Sequence, residues 1–216
     1  MNKYMNQDKD KEAQLEEIAE RVRNLEASPL YDYRKEKGYE PVIGEGDPNA
    51  EIMFIGEAPG KHEAKSGRPF VGNAGSVLNT LLASLDLERE EVYITNVVKD
   101  RPPGNRDPHV EEIACYAPFL LHQIEIIQPA VIVTLGRFAL NFILEQYNFP
   151  QAYLHQDKKL GELHGKVLEV EVPYSDDQSS DSEVKVVPLY HPAAAFYNPD
   201  LENVMEGDFQ VLGQFI

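Results

Sequence analysis

Four kinds of side chain in this sequence have both the chemistry and the setting to meet a ligand. Glu57 stands in GEAPG and Glu63 follows six residues later; a carboxylate held at a reacting centre can position or activate water, or favour a developing positive charge. Phe70, in GRPFVG, sits between Pro69 and Gly72, in a segment that reads as a shaped loop, where an aromatic face can stack on a flat ring. Asn96 directly follows a β-branched run, VYIT, and its amide offers one acceptor and two donors. His191 closes a further apolar run just before Pro192, and a neutral imidazole there can donate one hydrogen bond to an atom gaining negative charge. Each also has an ordinary structural explanation: exposed loop carboxylates, a core phenylalanine, a turn-forming asparagine, a strand-end histidine bonded to a loop carbonyl. The case for a site rests on whether the fold brings them together.

The elements that would do so can be read from hydrophobic periodicity. Short apolar runs at Ile52 to Ile55, at 92–96 (VYITN), at 130–136 (AVIVTLG) and at 184–192 (VKVVPLYHP) each end in a loop, the pattern of strands buried on both faces. Helical spacing separates them: residues 8–27 place Leu15, Ile18, Ala19, Val22 and Leu25 on one face until Pro29 stops the helix. A second helix starts near Asn73 and covers Val77, Leu78, Leu81, Leu82 and Leu85, and two more span 109–127 and about 137–147. Alternating strands and helices predict an α/β fold, a three-layer α/β/α sandwich around a central, mainly parallel four-stranded sheet. Ligands of such sheets gather at the carboxyl ends of the strands. That rule puts GEAPG, the loop after Asn96 and HPAAAFYNP on one edge.

The 216 residues carry 37 acidic and 20 basic side chains, a net charge of −17, which argues against coating nucleic acid by charge alone. The charge is uneven. Residues 56–110 are nearly neutral at −1, against −5 for 1–55 and −8 for 156–216. Lys61, Lys65, Arg68, Lys99, Arg101 and Arg106 fall in predicted loops of that neutral block, so a local anion-facing rim is expected. The lone Cys115 cannot form an internal disulfide and suits a reducing compartment. No run approaches the roughly 20 apolar residues of a bilayer span, and the polar start lacks a signal. A soluble cytoplasmic monomer without membrane contact is expected, with residues 1–27 as an N-terminal helix and 28–216 as one domain. The acidic, Ser-rich stretch 173–183 reads as an exposed hairpin tip between KVLEVEV and EVKVVPLY.

GEAPGKHEAKSGRPFVGNAG at 56–75, ITNVVKDRPPGNRDP at 94–108 and LYHPAAAFYNP at 189–199 together resemble the family-four uracil-DNA glycosylases, and the likeness extends over nearly everything from residue 28. The resemblance implies hydrolysis of the N-glycosidic bond between uracil and deoxyribose in DNA, after the nucleotide is flipped out of the stack. It implies that Asn96 reads the N3–H and O4 edge of uracil, Phe70 stacks on the base, and His191 stabilises negative charge at O2. Glu57, with Glu63 as a second candidate, would handle the water and the cationic sugar. Gly56, Ala58 and Gly60 would let the backbone approach the base. Lys61, Arg101 and Arg106 would meet phosphates, and Phe196 or Tyr197 would wedge the duplex, since Ala195 stands where a leucine is often found.

The sequence departs from the family at its iron-sulfur cluster. Of four cysteine positions, three are Leu25, Ser28 and Asp100, and only Cys115 remains; one thiolate cannot hold four irons, so no cofactor is expected. The loop after Asn96 also lacks the insert of relatives that bind their product covalently, and no lysine in the motifs is set as a Schiff-base nucleophile, which points to a monofunctional enzyme acting on uracil-containing DNA. The alternative is a non-catalytic, glycosylase-like module that binds damaged DNA or a protein partner.

Overall fold

In the computed structural model, which describes residues 3–147, 160–172 and 182–216, the apolar runs form the centre of a six-stranded sheet. β2 (Ile52–Gly56), β3 (Tyr93–Asn96), β4 (Val131–Leu135) and β6 (Ser182–Leu189) are the four expected parallel strands, in the order β3-β2-β4-β6. Two antiparallel strands extend the expected four to six: β1 (Glu45–Gly46) pairs with β3, and β5 (Leu168–Val172) pairs with β6. β1 is a two-residue strand of Glu and Gly with no apolar run to announce it. β5 and β6 are the two arms of the expected hairpin; residues 173–181 of its acidic tip lie outside the described residues.

Helices cover both faces, as the alternating pattern requires. On one side α1 (Lys3–Arg23), α5 (Val110–Ile127) and α6 (Arg137–Gln146) pack Ile18, Val22, Leu120 and Ile143 against Met53, Ile55 and Ile132 of the sheet. On the other, α4 (Asn73–Ala83) and a helix over Leu201–Phe209 bring Leu78, Leu82 and Phe209 against Ile52, Phe54, Ile94 and Val133. Alternate residues of β2 and β4 thus serve opposite cores, which is why these strands read as unbroken apolar runs.

Several short elements escaped the periodicity, the helix over Leu201–Phe209 among them. α1 ends at Arg23, four residues before the expected end, because the chain turns inward there. Arg34, from the short α2 (Tyr31–Lys37), donates to the carbonyls of Val22 and Arg23 at 3.2 and 2.7 Å, satisfying acceptors left open at the helix end. Within the first motif, α3 (Lys61–Ser66) interrupts what read as continuous loop and closes at Gly67, φ +71°.

The register aligns the strands' carboxyl ends: Gly56 is opposite Asn96, Ile55 opposite Thr134, and Leu135 opposite Leu189. Three loops separated by up to 135 residues of sequence therefore leave the sheet along one edge.

Candidate active site

The wall of the site is built where β2 and β3 end. Val97 N–H donates to Gly56 O at 2.9 Å and Val98 N–H to Glu57 O at 3.0 Å, so the parallel ladder runs on past the strands and keeps the Glu57 and Asn96 loops side by side. At Gly56 a side chain has no room: a Cβ would overlap Asn96 Oδ1 and lie 2.7 Å from Phe70 Cζ. The Asn96 amide and the Phe70 ring thus converge on the same backbone point.

Phe70 is held in an unfavourable conformation to get there. Its φ of +49° is rare for a bulky residue and costs about 1–3 kcal/mol, a strain that persists only where neighbours over-determine it. Those neighbours are visible. Arg89 donates to Phe70 O at 3.2 Å and to Pro69 O at 2.7 Å, while Glu63 Oε1 accepts from Val71 N–H and Gly72 N–H at 2.9 and 2.7 Å. Gly75 lets α4 approach, since a Cβ there would collide with the Phe70 carbonyl. Glu63, expected as a water-handling carboxylate, is buried at 8% exposure and has one oxygen committed to this loop.

His191 caps the 3₁₀ turn Pro192–Phe196, its Nδ1 accepting from Ala193 N–H at 3.2 Å. That bond leaves the proton on Nε2. Burial pulls the His191 pKa down to about 4, against the opposing pull of the Glu63 carboxylate, so the imidazole is neutral at pH 7 and donates through Nε2. Its ring centroid lies 5.6 Å from that of Phe70, less than the two stacking intervals of about 3.4 Å that a sandwiched base needs. A flat ring on Phe70 therefore meets His191 along its edge.

Glu57 stands beside them, half-buried. Burial, then the charge of Asp107, raises its pKa to about 7, with Arg137 opposing; Arg137 and Asp107 themselves pair at 2.5 Å on the rim. The cavity so enclosed measures about 400 Å3 and is lined by Glu57, Ala58, Gly60, Glu63, Phe70, Asn96 and His191, with Arg106 and Tyr197 among those at its mouth. This is the size of a site for a small ring. Phe196 and Tyr197 project beside it, 52% and 89% exposed.

The expected basic rim is largely absent. Lys99 is fully buried, because its aliphatic stem follows the chain into the core behind β3. Arg106 is committed bidentately to Glu112 at 2.8 and 2.6 Å, and Arg101 to Asn105 and Tyr39 at 2.7 and 3.0 Å. Arg68 pairs with Glu45. Lys61 and Lys65, both on α3, remain exposed.

At the four positions where the resemblance places cluster ligands, the donor set does not fit. Leu25 has no ligating atom. Tyr116 O–H donates to Asp100 at 2.6 Å, so Ser28 Oγ, 2.6 Å from the same phenol, is the donor of that pair. Asp100 also accepts from Arg34 at 3.2 Å, and all four of these residues are at most 5% exposed. Only Cys115 offers a thiol. Among the described residues, no group of three or more His, Cys, Asp or Glu could hold a metal ion, and no helix is long and apolar enough to cross a membrane. Sequence reasoning missed this network, the contact of Lys99 with Gln123 and the Arg137–Asp107 pair, since each depends on residues brought together from different segments.

Comparison with known proteins supplies the remaining observation. Residues 43–210 match the family described as the uracil DNA glycosylase superfamily. The chain is 44% identical over 197 residues to a type-4 uracil-DNA glycosylase of Sulfurisphaera tokodaii, covering 91% of this chain and 82% of that protein. A type-4 uracil-DNA glycosylase of Saccharolobus solfataricus is 42% identical over 91% of this chain and 83% of its own length. One from Archaeoglobus fulgidus is 43% identical, covering 93% of this chain and 94% of that protein.

Proposed function

The chain belongs to the uracil DNA glycosylase superfamily, and from that premise we propose how its own residues carry out the reaction. The activity is that of a monofunctional uracil-DNA glycosylase of DNA repair: it hydrolyses the N-glycosidic bond of uracil in DNA and leaves an abasic site. The non-catalytic alternative is not favoured, since the proteins that match over nine-tenths of the chain are named as glycosylases. The observation that carries the residue assignment is the convergence of the Phe70 ring, the Asn96 amide and the His191 Nε2–H on one cavity with Glu57 at its side.

The flipped uracil lies on Phe70, and stacking of about 1–3 kcal/mol offsets part of the cost of leaving the duplex. Asn96 accepts from N3–H and donates to O4, a pattern cytosine mismatches. As the N1–C1′ bond breaks, its electron pair leaves with the base, and His191 Nε2–H meets the charge growing on O2. Glu57, ionised, faces the sugar cation and takes a proton from the water whose oxygen bonds C1′; the uracil anion takes a proton from solvent as it departs, and Glu57 returns its own to solvent. Glu63 serves through the loop it holds. Gly56 and Ala58 keep the wall thin, and Phe196 and Tyr197 enter the space the base vacates. Lys61 supplies the phosphate contact; Arg101 and Arg106 shape the loop on which they stand.

We read the protein as a cytoplasmic monomer without a bound cluster. The lone thiol suits a reducing compartment, and Ser28 and Asp100, two of the four ligand positions, are committed to hydrogen bonds with Tyr116 and Arg34. A purified sample with the visible absorption of an iron-sulfur centre overturns the last point. The function is tested with a labelled uracil-containing oligonucleotide: strand breaks are expected only after alkali and are lost in Asn96→Ala. No breaks above the buffer control refute the enzyme, and breaks without alkali refute its monofunctional character.

A further inference from the structure

Behind the base-reading asparagine lies a buried amine to which the proposed reaction gives no part. Lys99 follows Asn96 by three residues, and its side chain is wholly inside the protein. Its Nζ donates to Asn96 O at 2.8 Å, to Thr95 Oγ1 at 2.7 Å and, across the layer, to Gln123 Oε1 of α5 at 2.6 Å. The Thr95 hydroxyl spends its own proton on Ile43 O at 2.6 Å, so all three partners can accept from the Lys99 amine. Gln123 is fixed in turn by donating to Ile43 O and the Tyr93 phenol at 3.0 and 3.1 Å.

None of these partners is a carboxylate, and burial pulls the Lys99 pKa well below its usual value. A buried amine is an expensive way to hold a loop that an apolar side chain could pack equally well. What a methionine could not do is grip the main chain at the residue that reads the base. The contact falls on Asn96's own carbonyl and on the side chain before it, so the peptide that aims the Asn96 amide is anchored to α5. Gly56, pressed between that amide and Phe70, leaves the wall no slack to absorb a shift.

We propose that Lys99 is a positioning residue for uracil recognition, its amine braced by Gln123 and fixing the backbone from which Asn96 addresses the base. The proposal rests on the assignment of Asn96 above. A double-mutant cycle separates the two: single-turnover uracil release is measured for the wild type, Lys99→Met, Asn96→Ala and the double variant, alongside binding to product DNA carrying an abasic site. A displacement of about 1 Å at a reading group costs on the order of 10²-fold in rate, so Lys99→Met is expected to lose about that much, with binding of abasic DNA unchanged. In the Asn96→Ala background the same substitution should cost nothing further. Effects that multiply, or a Lys99→Met rate within about twofold of wild type, overturn the proposal while leaving the Asn96 assignment intact. Full activity in Asn96→Ala overturns that assignment and this inference with it. Should Lys99→Met not fold, Lys99→Met/Gln123→Met, which removes the stranded acceptor as well, is read by the same criteria.

Discussion

Replacement of Glu57 by glutamine is expected to make the protein more stable and less active, and both effects carry a pH signature. The carboxyl has its pKa raised from 4.5 to about 7 by burial and by Asp107. Because the folded pKa lies above the unfolded one, the unfolded chain ionises first. Stability is therefore lost as pH climbs from about 4.5 to about 7, the penalty is complete above that window, and it is absent below it. Each tenfold in the ionisation equilibrium is worth about 1.4 kcal/mol, so the full penalty is about 3 kcal/mol at face value. Solvent at the open mouth screens it, and about 1–2 kcal/mol is a fair expectation. Glutamine matches the protonated carboxyl in shape and cannot ionise. For a chain of this length, thermal unfolding of Glu57→Gln at pH 8 should then lie about 2–8 °C above the wild type, with the gain vanishing near pH 4. The wild-type rate should rise about tenfold per pH unit toward pH 7 and level off, and Glu57→Gln should lose about 10²- to 10⁴-fold. A Tm gain equal at pH 4 and pH 8, or a wild-type rate flat between pH 5 and 8, refutes the reasoning.

Three further substitutions probe separate parts of the structure. Gly56→Ala forces a methyl between Asn96 and Phe70 and should lower the rate of uracil release by about 10²-fold, measured in single-turnover assays with an undamaged-DNA binding control. Arg34→Met strands the Asp100 carboxylate at 1% exposure and should cost about 3–5 kcal/mol in urea unfolding, most of it regained in Arg34→Met/Asp100→Leu. The double variant Phe196→Ala/Tyr197→Ala removes exposed side chains only, so stability should stay within about 0.5 kcal/mol. Excision from duplex DNA should drop about tenfold while excision from single strands holds, because only the duplex demands unstacking.

The four parallel strands and their helices were legible because burial on both sheet faces leaves unbroken apolar runs, and helix faces leave a 3.6-residue period. Asn96, Phe70, His191 and Glu57 were legible through their motifs and through the rule that loops meet at the strands' carboxyl ends. What stayed hidden was partnership. Lys99, Arg101 and Arg106 read as a basic rim since charge in a loop is ordinarily solvated; their fates were decided by Gln123, Tyr39 and Glu112, residues whose approach no local pattern records. Asp100 likewise read only as a missing ligand, whereas Ser28, Tyr116 and Arg34 make it the centre of a buried tie.

These hidden contacts explain how a chain of net charge −17 can keep such a site in register. Between Asn96 and Asp100 the backbone delivers three side chains to three destinations: Asn96 to the cavity, Lys99 to α5, and Asp100 to Arg34 and the end of α1. The loop that carries Asn96 is thus pinned on two sides by buried, hydrogen-bonded side chains. Surface ion pairs weaken with salt and are worth little singly; buried, fully hydrogen-bonded ones are screened far less, and one partner cannot be released without stranding the other. Arg34 joins the N-terminal segment to this loop by donating to Val22, Arg23 and Asp100 together. Of these five residues Asn96 lines the cavity, while Lys99 and Asp100 are buried in the protein, so the ties that hold the loop do not occupy the pocket.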